Sequence, residues 1–302
     1  MTAATLRTVE QYLDALRSAL RGADPALVQD ALYDAEEHLR AELGAHPGEA
    51  EGNVLARIVT SYGAPDEVAE AYRVNEATIQ KALRTPIPRP HSSSLGRFFG
   101  IYADPRGYLS LLYMLLALVL GIAYFTFATV GLSLSLGLAI LIIGVPFFLL
   151  FIGAARVVAL VEGRIVETLL GTRMPRRPAY PDRDTPFLRR IGDMLMDPRT
   201  WGTLLYLLLM LPLGVFYFTF VVVGLVLSLA TMVAPVFVLL YHFGIVQIEG
   251  TVDVEYPHPA LMPLISILGV LLLTMTLHLA RGIGYLHGQL AKTLLVATRA
   301  RE

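Results

Sequence analysis

From Leu109 to Ala155 the chain runs 47 residues without one Asp, Glu, Lys or Arg. Two more such stretches follow, from Thr203 to Tyr241 and from Ala260 to Leu277. A bilayer core accepts about 20 apolar residues per helix, so the first stretch is long enough for two spans and the last for one. With 55% apolar and 16% charged residues over 302 positions, the composition is too apolar for a soluble protein of this size. The sequence predicts an all-α fold: a small helical domain followed by a polytopic transmembrane bundle.

The apolar text is written twice. Shifted by 93 positions, Asp104–Leu136 and Asp197–Leu229 share 21 of 33 residues. Generic apolar composition would match Leu with Leu, but not Asp104-Pro105-Arg106, Tyr113, Gly121, Tyr124-Phe125-Thr126-Phe127 and Gly131 with their counterparts. A weaker match at a shift of 125 joins "ARVVALVEGRIVETLL" from Ala155 to "ARGIGYLHGQLAKTLL" from Ala280. The pattern reads as a duplicated two-helix repeat whose second copy carries about 32 extra residues.

The expected layout is a helical domain over 1–84, a Pro/Ser-rich linker over 85–103 and a first hairpin with its juxtamembrane helix over 104–178. A connection over 179–196 leads to a second hairpin over 197–302. In the first domain, Leu6, Val9, Leu13, Leu16 and Leu20 place one apolar stripe on a helix, and Asp24-Pro25 reads as the cap and first residue of the next. Its acidic faces read as solvated. "TPIPRPHSSSLGRFFG" reads as an extended tether. Within the last part, 224–260 forms an extracytoplasmic insert. Its apolar start, 224–241, is expected to be a re-entrant or outer-leaflet element packed on the bundle and broken at Pro235, and "VQIEGTVDVEY" alternates like a short β-hairpin. The turn of the first hairpin is expected within 129–137.

Charge sets the orientation. Nine arginines lie between Arg156 and Arg199, eleven basic residues precede Leu109 and four follow Leu279. Basic residues concentrate in cytoplasmic segments, so both termini and the central connection are placed inside a bacterial cytoplasmic membrane. The start of the chain lacks the basic and apolar regions of a cleaved signal. An acidic first domain, with 14 acidic against 8 basic side chains, disfavours direct nucleic-acid binding.

Sites for chemistry are few. Without cysteine, disulfides, thiolate metal sites and Cys nucleophiles are excluded. Phosphate-loop, serine-elbow and zinc-protease motifs are missing, so the chain is not expected to be an enzyme or to carry a cofactor or metal. Asp104, Pro105 and Arg106, with Asp197, Pro198 and Arg199, read as helix-entry caps. Glu249, Asp253, Glu255 and His258 form a candidate extracytoplasmic sensing loop. Arg156, Glu162, Arg164 and Glu167 form a candidate relay helix. His278 and His287 are expected to flank the cytoplasmic membrane surface.

The duplicated spans, the "ARVVALVEGRIVETLLG" helix with its "MPRRP" continuation and the second start "DPRTW" resemble the sensor domain found at the N-terminus of many bacterial histidine kinases. "VEQYLDALRSALRG" through "YGAPDEVAEAYR" resembles the HAAS helical signalling domain, whose members are often encoded beside PadR-like transcriptional repressors. The resemblance implies a membrane sensor or regulator, here without a kinase. It would detect an envelope or membrane signal and pass it by contact between its helical domain and a cytoplasmic protein partner such as a PadR-like regulator; a homo-oligomer is also compatible. The competing reading is a transport protein or permease-associated subunit, for which duplicated halves are equally normal. Spans with uncharged interiors speak against it.

Overall fold

The computed structural model of the protein describes residues 6–83, 93–140, 143–177, 192, 195–245 and 258–296. The chain divides into two compact units. One comprises Met1–Arg84, Ala128–Tyr206 and Gly288–Glu302; the other comprises Thr85–Phe127 and Leu207–His287.

The N-terminal residues form four helices: α1 (Val9–Ala19), α2 (Pro25–Ala45), α3 (Glu51–Ser61) and α4 (Pro65–Leu83). The Thr8 hydroxyl accepts from the Gln11 amide at the start of α1, and Asp24 accepts from the Ala26 amide at the start of α2. Both caps satisfy amides that a helix start leaves unpaired. α1 packs on α2 and α4, and α2 also packs on α3. Their shared core buries Tyr12, Leu16, Leu20, Leu39, Leu55 and Ile58 almost completely. Each such side chain contributes about 1.5–3 kcal/mol of burial. The Tyr12 hydroxyl donates to the Gly63 carbonyl at 2.9 Å, pinning α1 to the turn between α3 and α4. Gly63 sits there at φ +112°, where a side chain would be strained.

Part of the expected tether is helical. Ser93 caps a short helix, α5 (Ser94–Phe99), which continues as a 3-10 turn over Gly100–Ala103. The Phe98 ring stacks on His278, and the Tyr102 hydroxyl lies 2.9 Å from that of Thr274. From Ser94 on, an aromatic anchor replaces the extended form that composition suggested; the tether over 85–92 lies outside the described residues.

Four long helices follow: α6 (Pro105–Leu138), α7 (Gly144–Leu170), α8 (Pro198–His242) and α9 (Met262–Leu295). All four are long and apolar enough to cross a membrane, and the protein is a membrane protein. At 1.5 Å per residue, 34 residues reach about 51 Å, against an apolar layer of about 30 Å. Each therefore has turns to spare beyond the apolar layer. α6 and α8 begin 93 residues apart, and α7 and α9 end 125 residues apart, the two shifts of the sequence match.

Two boundaries differ from expectation. α6 continues through 129–137, so its turn comes later. α8 continues through 224–241 as a regular helix with Pro212 and Pro235 inside it, so the expected break at Pro235 is absent. A proline removes one backbone bond, whereas ending a helix in apolar surroundings orphans several donors and acceptors. Among the described residues there is no strand, and the expected hairpin falls outside them.

In the second unit, α6 and α8 cross where both copies carry glycine. A Cβ on Gly121 would strike the carbonyl of Met210, and one on Gly214 would strike that of Ala117. Small residues let helix backbones approach this closely, gaining packing that lipid cannot supply.

Candidate functional site

α7 does not stop where its apolar run ends. It carries Arg156, Glu162, Arg164 and Glu167 to Leu170, where Gly171 adopts a left-handed conformation at φ +70° and its amide reaches the Glu167 carbonyl. That cap turns the following Thr172–Arg177 segment toward the acidic side of α2 and α4.

Arg173 is the centre of the arrangement. It is 6% exposed, and its guanidinium is shared among three carboxylates. Nη2 donates to Asp30 on α2 at 2.9 Å, Nε to Glu76 on α4 at 3.1 Å and Nη1 to Glu167 on α7 at 3.3 Å. Nη1 also donates to the Met174 carbonyl. Burial works against the Arg173 charge, but the hydrogen bond to Glu76 and the charges of Glu76 and Asp30 outweigh it, so its pKa is raised.

Neighbouring residues complete the array. Asp30 Oδ1 accepts from the backbone amides of Arg176 and Arg177, at 2.6 and 2.8 Å. Arg164 pairs with Glu167 at 2.6 Å and donates to the Pro175 carbonyl. Arg177 pairs with Asp34 at 2.9 Å and lies over the Tyr33 ring, while Gln29 donates to its carbonyl. A further tether joins the end of α9: Lys292 lies 2.5 Å from Asp24, the residue that caps α2. Three aspartates of the first domain thus each hold a basic residue from the membrane part of the same unit.

A buried ion group of this kind adds less stability than its number of contacts suggests, because desolvation offsets much of the attraction. Removing one member is another matter, since it strands charge in a dry site. The arrangement is accordingly selective: it holds the segment in one position and penalises the alternatives.

The residues expected from sequence distribute as follows. Of the relay set, Arg164 and Glu167 belong to the ion group. Glu162 is fully buried and accepts from the Tyr206 hydroxyl at 2.8 Å. Arg156 reaches Asp197 and Thr200 at 3.5 Å. Asp104 and Asp197 cap α6 and α8 through the amides of Arg106 and Arg199, each at 3.0 Å, with Pro105 and Pro198 as first helical residues. Asp104 also pairs with Arg281 at 2.7 Å. Glu249, Asp253 and Glu255 lie outside the described residues; His258 is exposed and accepts from the Ala260 amide near the start of α9.

His287 is buried within the helix packing, at 1% exposure. Its Nε2 lies 2.5 Å from the Tyr113 hydroxyl and its Nδ1 3.1 Å from that of Tyr217. Periodicity missed Arg173, Asp30 and Glu76, because charged residues beside apolar stripes look solvated until a partner of opposite charge is placed against them. One usable signal existed: "TRMPRR" follows directly on a helix, and the first domain in the same chain has an acidic excess.

A charged segment clamped between a helical domain and the end of a long apolar helix defines a class: membrane proteins with a helical domain coupled to their spans. Residues 113–295 match the family described as "Putative sensor", and the chain belongs to that family. Residues 11–71 match HAAS. Nothing matches among curated proteins or solved structures.

Proposed function

We propose that this membrane sensor protein detects an envelope or membrane signal through its long helices and passes it to the HAAS domain across the Arg173 ion group. The domain then acts by contact on a cytoplasmic protein, of the PadR-like regulator type. The observation that carries this reading is the Arg173 guanidinium, buried among carboxylates of α2, α4 and α7. A shift of α7 along or about its axis moves Glu167 and the 172–177 segment, and with them the partners of Asp30 and Glu76. Both termini are taken to be cytoplasmic, because the basic residues cluster there. The protein needs no chemical step for this and is read as a non-enzyme.

The four long helices are read as two copies of one unit. Three pairs of contacts at matching registers support this. Asp197 with Arg156 corresponds to Asp104 with Arg281, Tyr206 with Glu162 to Tyr113 with His287, and Gly214 against Ala117 to Gly121 against Met210.

The test is crosslinking in native membranes followed by purification of the full chain. A helix-turn-helix regulator recovered with the wild type, and recovered differently with Arg173→Ala, is the expected result. Recovery of an ATPase subunit in its place would sink the reading.

A further inference from the structure

Beside the ion group, in the same unit, lies a cavity of about 70 Å³. Ala159, Leu160 and Met174 give it apolar walls, and Arg156, Arg199, Gln29, Thr203 and Asp197 supply its polar groups, the Asp197 carboxylate already accepting from the Arg199 amide. The two arginines and Gln29 are unusually underused. The Arg156 guanidinium touches Asp197 and Thr200 only at 3.5 Å, the outer edge of hydrogen bonding. Arg199 has no side-chain hydrogen bond or ion pair among the described residues. The charges acting on it are Asp197, which attracts, and Arg156 and Arg17, which repel. Gln29 Nε2 donates to the Arg177 carbonyl, which fixes the orientation of its amide; Oε1 is buried and has no partner among the described residues. The contrast with Arg173, whose donors are matched by three carboxylates, is plain.

Two arginines against one aspartate, with an orphan acceptor between apolar walls, call for an anion that also carries a proton. We propose that this cavity binds a terminal phosphate, held by Arg156 and Arg199 and donating its hydroxyl to Gln29 Oε1. Arginine suits phosphate because its planar donors match two oxygens at once. Size limits the choice: a water takes about 10–15 Å³ on this measure, so the cavity fits roughly five heavy atoms, a phosphate and no sugar or diester arms. A phosphodiester also lacks the proton that Gln29 would accept. The phosphate could belong to a phosphatidic-acid-type lipid or to free inorganic phosphate. The site does not depend on the helix end of α8, whose first amides are already taken by Asp197.

The experiment uses the full-length protein in phosphatidylcholine nanodiscs and the fluorescence of Trp201, the sole tryptophan, two residues from Arg199. Short-chain phosphatidic acid, short-chain phosphatidylglycerol and inorganic phosphate are titrated separately. Saturable binding of phosphatidic acid is expected, at least tenfold tighter than phosphatidylglycerol and weakened at least tenfold by Arg156→Gln with Arg199→Gln. Saturation by inorganic phosphate as well assigns the free anion as ligand; saturation by the lipid alone assigns the headgroup. If the double variant fails to melt cooperatively, Ala159→Phe, which fills the cavity and keeps both arginines, replaces it. No saturation by phosphatidic acid or by inorganic phosphate, or affinity unchanged in the folded variants, overturns the proposal. Binding is read whether or not the HAAS domain has a partner, so this result stands apart from the signalling reading.

Discussion

Glu162 and His287 stand 125 residues apart at the same register of the repeated text, and each is buried against a tyrosine at the matching register of another helix. Tyr206 donates to Glu162 at 2.8 Å, and Tyr113 lies 2.5 Å from His287. What surrounds them differs. The unit with Glu162 also contains the helical domain and the Arg173 group, whereas His287 sits between two phenols, Tyr113 and Tyr217. The same aligned position thus carries an acid in one stretch and an imidazole in the other. The matched registers share geometry, and the residues that differ between them supply the chemistry.

The comparison breaks most sharply at Arg173, whose counterpart in the second copy is Thr298. Arg173→Ala leaves Glu76 without its arginine and takes one partner each from Asp30 and Glu167, and is expected to cost about 3–5 kcal/mol of domain docking. Hydrogen exchange on the full chain should show lost protection in α2 and α4; unchanged protection would mean that other contacts hold the domain.

Next come the two tyrosines. Tyr206→Phe removes a bond to an acidic acceptor, worth about 1.5–3 kcal/mol, while Tyr113→Phe removes one to an imidazole, worth about 0.5–1.5 kcal/mol. Thermal melting of both variants in the same lipid should rank them in that order, and equal shifts would erase the distinction between the copies.

The glycines should behave alike. Gly121→Ala and Gly214→Ala each push a methyl into a facing carbonyl, and each is expected to cost about 1–3 kcal/mol of overpacking. A large difference between their melting temperatures would mean that only one crossing is tight.

Smaller effects come from pH, within the helical domain. Burial, then the hydrogen bond to Asp34, raises the Tyr72 pKa. A raised folded value means stability present below the ordinary tyrosine pKa of about 10 and lost as pH climbs above it. Tyr72→Phe should flatten the alkaline limb of a stability profile. The smallest is Glu49, whose hydrogen bond to Arg57 lowers its pKa. Its contribution is present above the ordinary glutamate value and fades as pH falls through the lowered one. Glu49→Gln should leave melting at neutral pH nearly unchanged and blunt only the acid limb.

Much of the fold was legible because two signals are strong in any context. Stretches without charge can only be spans, and Asp-Pro at 24–25, 104–105 and 197–198 marks helix starts through a cap and a missing amide. The continuity of α8 through Pro235 was not legible, since proline ends helices in water but is retained where the backbone has no water to turn to. Nor was the solvated reading of Asp30 and Glu76 correct, with 6% and 4% exposure. A charge beside an apolar stripe looks the same in sequence whether it faces water or an arginine 97 to 143 residues away.

The sequence by itself determined the membrane class and the helical nature of the first domain, because each follows from local composition and periodicity. Only the tertiary structure decided which charges are buried, and that Arg173 gathers Asp30, Glu76 and Glu167. It likewise decided that Glu162 and His287, alike in register, meet different surroundings. Those outcomes depend on distances across the chain, where Coulomb attraction and desolvation nearly cancel and geometry alone settles the balance.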